Sequence, residues 1–271
     1  QYFSDITLKG NIYLMLLWRF ALLMLIFTLC RVLFYLFNID FFASVTTAGL
    51  LRMLAGGLWF DTSALIYTNI LYIVLFLLPF TFRYNEWYQR VLKYLFVVTN
   101  SVAIGANCAD FIYFRFTMRR TTATVFSEFK HETNFGSLIP KFIADYWYVF
   151  LIWIALTALL VLLYGRVRPI NKGKGFRFHL VYGLNGLVLL LVFATLMVGG
   201  MRGGFRHSTR PITLSNAGQY INEPLEAAIV LNTPFAIYRT LGKKSLVKVD
   251  YYKNPKELDE VYSPLHKPRS E

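Results

Sequence analysis

Eighteen residues from Trp147 to Tyr164 carry no formal charge, and a run of that length is what an α-helix needs to cross the hydrocarbon core of a bilayer. Comparable apolar runs lie near Leu14 to Phe37, Leu58 to Phe80, Leu92 to Phe114 and His179 to Gly200, so five spans are expected within the first 200 residues. Composition agrees: 56% of residues are hydrophobic and 18% aromatic, more apolar than soluble domains usually are. The first run is too long for a cleaved signal peptide, carries Arg19 and Arg31, and is followed by four more. The sequence therefore predicts an all-α, polytopic membrane protein: five transmembrane helices with interfacial helices and an extracytoplasmic juxtamembrane linker.

Orientation follows from short loops, whose excess of Lys and Arg marks the cytoplasmic side. The connection after span four holds Arg166, Arg168, Lys172, Lys174 and Arg177 without an acid, and that after span two holds Arg83, Arg90 and Lys93 against Glu86. Both are expected inside, with the N-terminus, leaving everything after Gly200 outside. The connection after span three is also basic, with Arg115, Arg119, Arg120, Lys130 and Lys141, but it is long and contains Glu128, Glu132 and Asp145. Long segments follow the charge rule less strictly. Two stretches read as interfacial helices: Phe41 to Gly57, bounded by Gly56-Gly57, and Phe135 to Trp147, which leads into the aromatic belt Tyr146, Trp147, Tyr148.

Residues 1–200 are thus expected to form the transmembrane domain. Residues 201–250 read as a juxtamembrane extracytoplasmic segment, opening on Gly199-Gly200-Met201-Arg202-Gly203-Gly204 and holding short helices at Ser215 to Ile221 and Pro224 to Leu231. Residues 251–271 are polar, charged and Pro-containing, a linker that is expected to continue toward a further domain. The chain starts at Gln1, and residues are expected before it.

Ionisable residues inside a membrane are costly and so mark candidate sites. Arg19, near the inner end of span one, is expected to snorkel to the cytoplasmic headgroups. Arg31 follows twelve residues later, roughly 18 Å along a helix, and belongs near the outer leaflet with Asp61 and Asp110. Two readings stay open there. Arg31 bridges to Asp61 or Asp110, or these groups line a polar pocket together with the Asn100, Asn107, Asp110 stripe of span three. Just beyond, Arg115, Arg119 and Arg120 alternate with aromatics, and Arg202, Arg206 and Arg210 follow span five. Arginine matches phosphate in bidentate fashion, so the six are candidates for binding lipid phosphate, or else are a solvated basic surface.

The formal net charge of +13 points to anionic lipid headgroups rather than nucleic acid in a chain with five spans. Cys30 and Cys108 lie inside spans as small packing residues, and the four histidines lack metal-ligand spacing. No nucleophile triad, phosphate-cradling glycine loop or carboxylate cluster is present, so no catalytic residue and no metal site is assigned.

Four segments resemble the membrane part of the lipoteichoic acid synthase family, in its Bacteroides-type members labelled sulfatase or phosphoglycerol transferase. They are Gly57 to Asp61, Asn107 to Arg120 with Asp110-Phe111-Ile112-Tyr113-Phe114 at its core, Arg202 to Pro211, and Leu231 to Thr240. The resemblance implies five spans, a helical linker and an extracytoplasmic domain of the alkaline phosphatase superfamily. That domain would carry the Mn or Mg site and the Thr nucleophile and would follow Glu271; this chain would hold no cofactor itself. It further implies a bacterial plasma-membrane location and transfer of phosphoglycerol or phosphoethanolamine from a phospholipid. The alternatives are a small transporter or flippase, against which stands the absence of an inverted repeat, and a purely structural anchor.

Overall fold

The computed structural model describes residues 8–10, 12–78, 80–126, 141–165, 167–169, 176–204 and 210–242. Within them, five helices are long and apolar enough to cross a membrane: α1 (Ile12–Phe37), α2 (Thr47–Leu77), α3 (Glu86–Thr117), α4 (Trp147–Tyr164) and α5 (Phe176–Arg202). Two short helices follow, α6 (Ala227–Val230) and α7 (Thr233–Thr240). The protein is an all-α, multi-pass membrane protein.

Local chemistry sets the helix ends. The Thr46 hydroxyl accepts from Gly49 N at 3.2 Å at the start of α2, and Asn85 Oδ1 accepts from Trp87 N at 2.8 Å at the start of α3. α3 ends at Met118 in the left-handed conformation (φ 54°), which turns the chain back along its own helix. The expected interfacial helix between Phe41 and Gly57 is not a separate element. A 3₁₀ turn at Ile39–Phe42 leads to Thr46, and α2 then runs without a break through Gly56 and Gly57 into the span. These glycines serve contact rather than chain breaking: a Cβ on Gly56 would meet the Tyr220 ring at 2.4 Å, and one on Gly57 the Arg31 guanidinium carbon at 2.4 Å.

The most apolar windows of α2 and α3 are 61% and 50% buried, those of α4 and α5 only 22% and 11%, so α2 and α3 form the centre and the last two helices the periphery. α1 packs on α2, α3 and α4; α5 packs along α2. Leucines and valines on α5, such as Leu184, Leu187, Val188 and Leu191, present an exposed apolar face, as lipid contact demands. At one end, a short strand β1 (Leu8–Gly10) pairs in parallel with β2 (Val167–Pro169). This places Leu8–Gly10, just before α1, beside Val167–Pro169, just after α4. At the other end an aromatic plug closes the core, with Phe34 edge-on to Phe114 at 5.0 Å and Phe42 stacked on Phe114 at 5.6 Å.

Residues up to Leu241 belong to one compact unit, and Gly242–Glu271 to a second. The stretch after α5 is part of the first because it folds back. A 3₁₀ helix at Leu214–Tyr220 packs on the start of α2, α6 touches α1 and α2, and α7 lies against α2 and α3.

Candidate functional site

The polar groups of α1, α2 and α3 meet where this returning segment docks. Arg31 is 2% exposed and donates to both carboxylate oxygens of Asp61 at 2.6 Å. Its remaining donors reach backbone carbonyls: Ile229 at 2.9 Å, Val230 at 3.1 Å and Gly57 at 3.2 Å. The two carbonyls of α6 are helix-end acceptors that would otherwise be orphaned in an apolar setting. Asp61 also accepts from Asn232 Nδ2 at 2.8 Å, while Asn232 Oδ1 caps α7 by accepting from Phe235 N at 2.8 Å.

Of the two bridges open to Arg31, the structure makes the one to Asp61. Asp110 has other partners. Its carboxylate accepts from the Thr121 amide at 3.1 Å, from the Thr121 hydroxyl, and from the Thr233 hydroxyl at 2.6 Å. Asn107 Oδ1 accepts from Thr233 N at 3.0 Å. Asn100 is deeper, in a reciprocal amide pair with Asn69 across α2 and α3 at 2.7 and 2.9 Å. The Asn stripe of α3 therefore faces protein, and its outer part is filled by Asn232 and Thr233 of the chain itself.

Arg120 departs from the expected basic rim. It is buried, sits 3.6 Å from an Asp110 oxygen, donates through Nε to Ala228 O at 2.8 Å and lies 3.6 Å over the Phe34 ring. The reason is the left-handed turn at Met118, which carries Arg120 and Thr121 back toward Asp110. Burial lowers the Arg120 pKa to about 10, with the Asp110 carboxylate pulling it up again, so the group remains a cation near neutral pH. Arg115 is exposed and donates to Phe37 O; Arg119 and Arg210 are exposed and Arg202 half-buried. α5 packs along α2, so the arginines after α3 and after α5 flank the central helix from different neighbours. Arg206 lies outside the described residues, as do residues 251–271 and most of the basic α4–α5 loop.

Arg19 also differs from expectation. It is 3% exposed, points into the bundle, donates to the Tyr72 hydroxyl and lies 3.8 Å from the Tyr164 ring and 4.8 Å from that of Phe76. Two aromatic faces and a phenol replace the headgroup contact that snorkelling would supply.

No protein-family model, curated protein or solved structure matches this chain. Among the described residues no three His, Cys, Asp or Glu side chains gather as metal ligands. Asp61 and Asp110 are each saturated by donors of the chain itself. Sequence reasoning missed Asn232 and Thr233, the residues that tie the returning segment to both carboxylates. Their signal was present as Asn-Thr-Pro: an N-cap residue with proline near the first helical position.

Proposed function

We propose that this chain is the membrane and linker portion of a lipid-headgroup transferase of the lipoteichoic acid synthase kind. Its spans anchor a sulfatase-like catalytic domain at the outer leaflet of a bacterial plasma membrane, with the N-terminus cytoplasmic. The supporting observation is the seating of Pro224–Thr240: seven hydrogen bonds with Arg31, Asp61, Asn107, Asp110, Arg120 and Ala123 fasten it before the chain passes on beyond Leu241. A floppy tether would need no such investment. Three of the four segments that carry the resemblance, Gly57–Asp61, Asn107–Arg120 and Leu231–Thr240, are those that meet here.

In this reading the membrane part fixes height and orientation, which raises the effective concentration of the catalytic domain at the lipid surface. Exposed Arg115, Arg119 and Arg210 contact anionic headgroups, while Arg120 acts inside the fold. In the whole enzyme the phosphorus–oxygen bond to diacylglycerol breaks as one to the nucleophile forms. A transporter would instead need its charged groups to be reachable from both sides, whereas Arg31 and Asp61 are closed off by α6 and α7. The product of the complete gene, purified in detergent with phosphatidylglycerol and manganese, should release diacylglycerol, and residues 1–271 alone should not. Release by the 271-residue chain, or none by the complete product, contradicts the proposal.

A further inference from the structure

Between Leu184 and Val198, the surface that α5 leaves uncovered is leucine, valine, alanine and one threonine, with a single amide, Asn185. The face turned to the bundle carries Leu190, Phe193 and Met197, and Phe193 stacks on Tyr13 of α1 at 5.6 Å. Asn185 is exposed, away from that face. His179 lies six residues before it and Arg202 seventeen after it, about 9 and 26 Å along a helix. An amide one methylene from the backbone does not reach the headgroups from there, and lipid tails offer it no hydrogen bond. Among the described residues the Asn185 side chain has no hydrogen-bond partner.

Asparagines elsewhere in the spans meet a partner on another element. Asn69 and Asn100 donate to each other at 2.9 and 2.7 Å across α2 and α3, and Asn107 accepts from Thr233 N. An amide carries donor and acceptor together, so two amides complete each other. In a two-fold pair of identical chains a residue near the axis meets itself, which makes a second copy the partner of matching chemistry. Val188, Val192 and Thr195 continue from Asn185 along the helix, all exposed and spaced three, four and three residues. That is the spacing of two helices packed along a left-handed seam. Valine and threonine have few rotamers to lose on docking, and the Thr195 hydroxyl is already answered by Leu191 O at 3.0 Å.

We infer that the chain pairs with a second copy of itself through α5, with the two Asn185 side chains in a reciprocal amide pair and Val188, Val192 and Thr195 packed along the seam. The pairing follows from the membrane-spanning fold and requires no headgroup transfer, so it fails or succeeds separately from that activity.

The test is energy transfer between copies of the 271-residue chain in phosphatidylglycerol and phosphatidylcholine liposomes, with donor or acceptor dye on Ser263→Cys, as the lipid-to-protein ratio is raised. Transfer should fall along the curve of a monomer–dimer equilibrium. Asn185→Leu should weaken the dimer about tenfold, the worth of an interhelical amide pair in lipid, and Asn185→Gln, which keeps donor and acceptor, should retain most of the association. Because Asn185 is exposed, unchanged circular dichroism should accompany both variants. In otherwise unaltered chains, a cysteine at Val188 or Val192 should form an interchain disulfide on oxidation with copper phenanthroline, whereas one at Ile154, 58% exposed on α4, should not. A chain that stays monomeric at every lipid ratio would overturn the pairing and leave Asn185 to a helix of a different protein. A dimer of undiminished strength in Asn185→Leu, or equal cross-linking at Ile154, would overturn α5 as the seam.

Discussion

Replacing Arg31 by Met separates a seat from a pocket. Methionine keeps the length and apolar stem but removes every donor, leaving Asp61, at 0% exposure, with Asn232 Nδ2 as its remaining side-chain donor. A buried ion stripped of its partner costs about 3–5 kcal/mol. The Ile229 and Val230 carbonyls lose their donor as well, which adds about 1 kcal/mol for each. Asp61→Asn leaves Arg31 charged but still bonded to three carbonyls, at a cost of about 3 kcal/mol. With both changes no uncompensated charge is left, and the residual cost falls to the two carbonyls and the imperfect fit, about 2–3 kcal/mol. The two single losses then exceed the double loss by about 5–8 kcal/mol, more than the 0.5–3 kcal/mol usual for residues in one network, because each single change strands a buried charge. The assay is reversible unfolding in mixed detergent and SDS micelles, followed by circular dichroism, on all four proteins. Single variants within about 1 kcal/mol of the parent, the behaviour of exposed ion pairs, would refute the buried-seat account and restore an open polar pocket.

Gly57→Ala should mimic part of the Arg31 loss, about 1–3 kcal/mol by overpacking, because the new Cβ would lie 2.4 Å from the Arg31 guanidinium carbon, whereas Gly165→Ala, with nothing within 4 Å, should leave the unfolding midpoint unchanged. Thr233→Val removes one donor to Asp110 and should speed hydrogen exchange across Thr233–Thr240 while α4 and α5 exchange as before; uniform acceleration would show that the segment is no separate cooperative unit. A cysteine at Lys172 should resist a membrane-impermeant maleimide in intact cells and one at Ser263 should react, and the reverse pattern would invert the proposed orientation. Replacing Arg115, Arg119 and Arg210 by Gln should lower phosphatidylglycerol retention at low salt and have little effect at high salt, since exposed charges are screened; equal loss at both would argue for a buried role.

The spans were legible because length and uninterrupted apolarity are one-dimensional properties, and α4 spans Trp147–Tyr164 as the uncharged run does. The position of a side chain relative to a turn is not one-dimensional. Arg115, Arg119 and Arg120 look alike as a basic cluster, yet a single left-handed residue, Met118, sends only the last of them inward. Gly56-Gly57 read as a boundary because glycine commonly punctuates, and nothing local reveals that Tyr220 and Arg31 occupy the missing Cβ positions. Arg19 had two outlets, the headgroups or the bundle, and the presence of Tyr72 and Tyr164 at the right height decides between them. Further partners of the intramembrane acids lay more than a hundred residues away, at Asn232 and Thr233, beyond the reach of any periodicity.

That sequence distance has a bearing on biogenesis. The chain leaves the ribosome in order, so α1, α2 and α3 are inserted long before Ala228, Ile229, Asn232 and Thr233 have been made. Arg31 and Asp61 can find each other early, as can Asp110 and Thr121, but the contacts of Thr233 with Asp110 and Asn107 must wait for the last thirty described residues to arrive. Until then the polar groups that Asn232 and Thr233 answer in the finished fold lack those partners. The final residues of the unit are its keystone, and a nascent chain released at Arg202 would possess every span and still not close.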